Sequence, residues 1–111
     1  MTVEHPRACV KPPRVTDLRR VQAFVVVAEE LHFRRAAARL AISQSPLSRV
    51  IRKLEKELNA PLFERSRRTV RLTAAGAALL PHARRLLDEA DAFVDIARRS
   101  LLDVGDRDAC A

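Results

Sequence analysis

Apolar residues recur along most of this chain at helical spacing, and the interruptions between them mark its elements. Leu18, Val21, Val25 and Ala28 fall at i, i+3, i+7 and i+10 with Phe24 beside them. Thr16 or Asp17 precedes the pattern as an N-cap, so the spacing predicts an amphipathic helix ending near Leu31. The run Val25 to Val27 is β-branched and would also suit a strand, but the flanking pattern and the length of the segment outweigh it. A second, short helix from about Phe33 to Leu40 carries Phe33, Ala36, Ala37 and Leu40 on one face, where the alanines permit close approach of another helix. No glycine marks the turn that follows. Ala41 stands in its place, and its backbone is expected to turn without entering the left-handed region.

Ser43 offers the next N-cap, and Pro46 suits an early helical position because its missing N–H breaks no helical bond. Leu47, Ile51, Leu54 and Leu58 then form an apolar stripe, while Ser45, Ser48, Arg49, Arg52, Lys53 and Lys56 take the opposite side. Asn59 is a plausible C-cap and Pro61 stops the helix. The segments Leu62 to Arg65 and Val70 to Thr73 flank a polar Ser66 to Thr69 tip, which suggests a β-hairpin, although the Asn-Gly or Asp-Gly of the strongest hairpin signals is missing. From Thr73 onward Leu79, Ala83, Leu86, Ala90, Phe93 and Ala97 recur at steps of four and three, and Leu101 follows. That repeat is a coiled-coil seam. Pro81 lies inside it and costs about 3 kcal/mol if uncompensated, so the helix either begins near Pro81 or, as we prefer, runs on from Thr73 with a kink.

These elements define a mainly α fold: a winged helix-turn-helix of three helices and a short hairpin, followed by a long linker or dimerisation helix. The expected bounds are a flexible basic tail over 1–15, the winged domain over 16–73 with its helix-turn-helix at about 33–52, the linker helix over 74–102, and a frayed end over 103–111.

Charge sharpens the functional side of this picture. The 111 residues contain 21 Lys+Arg against 14 Asp+Glu, a formal net charge of +7, which favours a polyanionic partner. Sixteen of the basic residues, against seven acids, precede Thr73; the rest of the chain has five against seven. Cys9 and Cys110 lie near opposite ends without ligand-spaced neighbours, and are read as free thiols in a reducing, cytoplasmic compartment. No run reaches membrane-spanning length and the start lacks the apolar core of a signal peptide. His5, His32 and His82 have no metal-ligand spacing, and no Ser or Cys sits in a recognisable catalytic pattern. We expect neither an enzyme nor a cofactor.

The candidate chemistry is nucleic-acid recognition. A major groove admits one helix, in which Gln44 can pair with adenine, Arg49 with guanine, Ser48 with several base edges, and Pro46 can pack on a thymine methyl. Arg52, Lys53 and Lys56 would hold phosphates, which position a helix without specifying sequence. Arg65, Arg67 and Arg68 in the hairpin would reach phosphates or the minor groove, only Glu64 being close in sequence to neutralise them. Arg34 and Arg35 begin the second helix, where side chains and backbone N–H groups can share one phosphate.

In the ordered set D-L-R-R-V-Q-A-F-V-V-V-A-E-E, R-A-A-A-R-L-A-I-S-Q-S-P-L-S-R-V-I-R-K-L-E-K-E-L, P-L-F-E-R, V-R-L-T-A-A-G and L-L-P-H-A-R-R-L-L, from about Thr16 to Leu87, the sequence resembles the N-terminal region of LysR-type transcriptional regulators. The resemblance implies a winged helix-turn-helix and a linker helix, including a proline at Pro81, that pairs across a dimer axis. It assigns Gln44, Ser45, Pro46, Ser48 and Arg49 to base and backbone contacts, and Arg68, with Arg65 nearby, to the minor groove. Where many relatives have small hydroxyl residues around the phenylalanine that starts the second helix, this chain has His32 and Arg34, so Arg34 is expected to replace the usual hydroxyl-to-phosphate contact. The chain stops where relatives continue into an effector-binding domain, so it resembles a regulator without its sensor. The expected partners are double-stranded DNA and a second copy, higher oligomers requiring the effector domain; no small-molecule ligand is expected in this chain. The alternative is an interaction protein that pairs through its seam with full-length relatives.

Overall fold

Asp17 opens the first helix by accepting the Arg19 N–H on its carboxylate at 2.9 Å, which satisfies one of the donors that a helix start leaves free. In the computed structural model, which describes residue 11 and residues 17–107, this helix is α1, Leu18–Glu30. It is followed by α2 (Phe33–Leu40), α3 (Gln44–Leu58), a hairpin of β1 (Phe63–Arg65) and β2 (Val70–Leu72), and α4 (Ala74–Arg107). The expected tail, apart from exposed Lys11, lies outside the described residues. So do Thr16, His5 and both cysteines.

α1 is buried more completely than its stripe predicts. Ala23, Val26 and Val27 join Val21, Phe24, Val25 and Ala28 in the core, because α2, α3 and α4 all pack against this one helix. Leu18, expected on the buried face, is exposed instead at the open end of the helix. The β-branched run stays helical because burial of its valines, each worth about 1.5–3 kcal/mol, outweighs a propensity deficit of a few tenths per residue.

The core centres on Val27, Ala36, Leu47, Ile51 and Leu62, all fully buried. Phe24, Phe33 and Phe63 close it from the hairpin side, Phe63 standing 5.7 Å from Phe24 and 6.2 Å from Phe33 between ring centroids, tilted and edge-on. Such arrangements suit the aromatic quadrupole.

The α2–α3 turn departs from expectation. Ala41 has φ 58° and ψ 41°, in the left-handed region, and its N–H bonds back to the carbonyls of Ala37 and Ala38. The turn needs that geometry to satisfy the last carbonyls of α2, and alanine takes it at a cost of about 1 kcal/mol. Leu31 and Asn59 cap α1 and α3 in the same region.

β1 and β2 pair antiparallel with Phe63 opposite Leu72, Glu64 opposite Arg71 and Arg65 opposite Val70. The tip closes without a glycine or a positive φ. Ser66 N donates to Thr69 O at 2.9 Å, Thr69 N donates to Ser66 Oγ at 3.1 Å, and the two hydroxyls meet at 2.8 Å.

α4 runs unbroken through Pro81. Its start is fixed to the hairpin: Thr73 Oγ1 donates to Pro61 O at 2.7 Å and accepts the Gly76 N–H at 3.0 Å. The helix continues to Arg107, beyond the expected fraying point at Leu102, since extending a helix past one glycine costs about 1 kcal/mol, far less than nucleating one. Leu79, Leu80, Ala83 and Leu87 pack against the core. Beyond them the helix carries its apolar residues bare, with Phe93 75%, Leu101 69% and Leu102 75% exposed.

Candidate nucleic-acid interface

α3 presents its polar side in two strips. Gln44, Ser48 and Arg52, each one turn from the next, border a groove whose far wall is the hairpin, with Arg67 and Arg68 at its tip, and whose end is closed by His32 and Arg34 from the start of α2. Pro46, Arg49 and Lys53 border a second recess on the other flank, beside Arg19 and Arg20 of α1. Ser45 is exposed on α3. The fold therefore brings Arg34, Gln44, Ser45, Pro46, Ser48, Arg49, Arg52, Lys53, Arg67 and Arg68 to the surface along or beside α3. Ser48 is only half-buried at the groove edge rather than fully on the open face.

Arg65 is the exception. It turns inward under the hairpin, with Nη2 3.4 Å from Glu55 Oε1, Nη1 donating to Ser48 Oγ at 3.3 Å, and its guanidinium 4.8 Å above the centre of the Phe33 ring. Burial pushes its pKa down, against the pull of Glu55. The sequence-adjacent acid, Glu64, is not its partner, because the pleat sends residues 64 and 65 to opposite faces. Arg35 stays at the surface but is engaged by Glu30, bonding its carboxylate and carbonyl, both at 3.3 Å, which leaves Arg34 alone of that pair at the groove.

Most of the ion pairs gather at three acids of α1 and α3. Glu29 and Glu30 hold Arg35, Arg39 and Arg84, and Glu57 holds Arg20. The hydrogen bonds that Arg39 donates to Glu29 and then Glu30 push its pKa up. Among the described residues, Arg34, Arg49, Arg52, Lys53, Arg67 and Arg68 make no ion pair.

Three contributors escaped the sequence reading. Arg19 stands exposed beside Arg49 and Lys53. His32 caps α2, its Nδ1 accepting the Arg35 N–H at 3.1 Å. Glu55 anchors the hairpin by accepting the N–H groups of Leu62 and Phe63 at 2.8 and 3.2 Å. The available hint was that Glu55 is an acid two helical turns from Ser48 on an otherwise basic side.

The seam divides as well. Ala83 is buried and Leu79 partly buried against the chain's own core, whereas Leu86, Phe93, Ala97 and Leu101 are exposed and Ala90 is half-exposed. Leu79 and Ala83 are taken up by α1 and α3, whose Val21, Phe24, Leu54 and Leu58 line the same hollow. Among the described residues no group of His, Cys, Asp and Glu is placed to hold a metal, and no helix is long and apolar enough to cross a membrane.

A helix-turn-helix with a hairpin wing and a projecting helix defines the class. Residues 18–77 match the family described as bacterial regulatory helix-turn-helix protein, lysR family, and the chain belongs to it. It is 57% identical over 74 residues to the HTH-type transcriptional regulator ShiR of Corynebacterium glutamicum, covering 67% of this chain and 25% of that protein. It is 54% identical over 83 residues to IlvR of Caulobacter vibrioides, covering 75% and 28%. The chain thus spans about a quarter of the length of these relatives. Among solved structures, the CbnR_DBD–DNA complex is similar with TM-score 0.73 and 42% identity, over 76% of this chain and 97% of that one. The BenM_DBD/catB site 1 DNA complex gives 0.72 and 42%, over 75% and 93%.

Proposed function

We propose that this chain is a sequence-specific, non-enzymatic DNA-binding module of a transcription regulator that works in the cytoplasm. The observation that carries this is the clustering of six cations that make no ion pair around the groove and recess bordered by α3 and the wing. A solubilising face would gain nothing from keeping acids away, whereas a face that meets phosphates would lose affinity to each one. Relatives of nearly the same span have been solved on DNA, which supports the same partner here.

Gln44, Ser45, Pro46, Ser48 and Arg49 would read bases in the major groove, Arg34, Arg52 and Lys53 would hold phosphates, and Arg67 and Arg68 would follow the backbone into the minor groove. One recognition helix covers too few base pairs to find an operator, so we place a second copy on the exposed stretch of α4 from Leu86 to Leu101, giving a dimer on an interrupted inverted repeat. Pairing with full-length relatives as the main role draws on the same stripe, but it leaves the unpaired cations without a purpose.

Gel shifts across a salt series test the reading. Affinity should fall with a log–log slope of about −0.9 per neutralised phosphate. Gln44→Ala and Arg49→Ala should each cost about 1–3 kcal/mol and relax base preference, while Lys53→Ala weakens all sequences alike. Footprints that stay as selective in the first two variants contradict the assignment.

A further inference from the structure

Arg65 is committed in three directions, and one of them reaches the reading face. Its guanidinium covers Phe33, Nη2 meets Glu55 Oε1 at 3.4 Å, and Nη1 donates to Ser48 Oγ at 3.3 Å. Glu55 is itself held, since its Oε2 accepts the N–H groups of Leu62 and Phe63. Oriented hydrogen bonds therefore run from the base of the wing through α3 and across Arg65 to a hydroxyl at the edge of the groove.

A serine hydroxyl has one proton and two lone pairs, and a guanidinium has donors only. Arg65 occupies one lone pair of Ser48 and repels its proton. No other group among the described residues bonds that proton, which is left for the groove. A free serine rotates to suit donors and acceptors alike; this one is biased to donate. We infer that Arg65 is a positioning residue that makes Ser48 seek an acceptor. The base edge beneath Ser48 is then favoured when it offers a purine N7 or O6 or a thymine O4, and cytosine, which presents an amino donor in the major groove, is disfavoured there. This rests on the DNA-binding reading above.

The test is selection of bound sequences from random DNA with the wild-type chain, Ser48→Ala, Arg65→Met and the double variant, followed by titration of single-base changes at several salt concentrations. The wild type should disfavour cytosine at one position per half-site by about fivefold, the equivalent of one net hydrogen bond. Ser48→Ala and Arg65→Met should each equalise the bases at that position and leave the rest of the motif intact, with no further change in the double variant. Arg65→Lys keeps the charge beside Glu55 but lacks the fork that spans to Ser48, and carries the same expectation if Arg65→Met does not fold. Three results overturn the inference alone: cytosine stays disfavoured to the same degree without the Arg65 fork; Ser48→Ala leaves the motif whole; or the Arg65 variants weaken every sequence alike while reducing the salt slope by about one, as loss of a phosphate contact does. A wild-type chain that selects no motif overturns the DNA-binding reading and this inference with it.

Discussion

Ala41 shows what the turn between α2 and α3 requires of a single residue. Its φ of 58° lets the N–H reach the carbonyls of Ala37 and Ala38, while the methyl group crowds its own backbone. Ala41→Gly removes that crowding and leaves the cap bonds in place. The variant is expected to gain about 0.5–1 kcal/mol despite the greater freedom of glycine in the unfolded chain. Urea denaturation monitored by circular dichroism measures the change, and a lower midpoint at unchanged slope would count against this account of the turn. Arg65 makes the opposite point. Its identity suggested a DNA contact, but its position on the inward side of β1 gave it Glu55 and Ser48 as partners.

Between elements, the closest approach is at the foot of α4. A Cβ on Gly76 would run into the Leu62 carbonyl and lie 2.8 Å from Leu72 Cδ2, so the helix meets the hairpin backbone where only hydrogen fits. For Gly76→Ala, helix propensity offers about 1 kcal/mol and overpacking takes about 1–3. The obstructing neighbour is a backbone carbonyl that also accepts the Thr73 N–H at 3.0 Å, so it has little freedom to yield and the clash should win. A lower melting temperature is expected, and a rise would show that the junction gives way. The elements joined here were legible in the sequence because each follows a local rule: four-and-three spacing for α1 and α3, small residues for α2, and proline and paired apolar runs for the hairpin. Their mutual contacts were not. Arg20 meets Glu57 thirty-seven positions away, Arg84 meets Glu29 across fifty-five, and Glu55 finds its N–H donors only once the wing folds back. The burial of Leu79 and Ala83 was hidden for the same reason, since a seam pattern records that residues are apolar and leaves open which surface covers them.

For the whole molecule, six cations that make no ion pair gather around α3 and the wing, and a bare apolar stripe extends along the distal part of α4. Phe93 is the largest side chain on that stripe and 75% exposed. Phe93→Asp leaves the winged domain untouched and should weaken self-association by at least about 2 kcal/mol, as expected for a buried aromatic anchor. Sedimentation equilibrium reads the change directly, and unchanged association would place the dimer contact elsewhere.

The rooting of α4 has a geometric consequence. Thr73 ties its first turn to Pro61, and Leu79 and Ala83 clamp its near part to the winged domain. The distal stripe is therefore held at a definite phase to α3, with an angle of about 100° and an advance of about 1.5 Å per residue between them. One residue inserted between Leu87 and Ala90 should swing the stripe out of phase. Seven should return it close to the original direction about 10 Å farther out. The distance between half-sites preferred by a dimer would then be counted out in residues of a helix that never touches the bases.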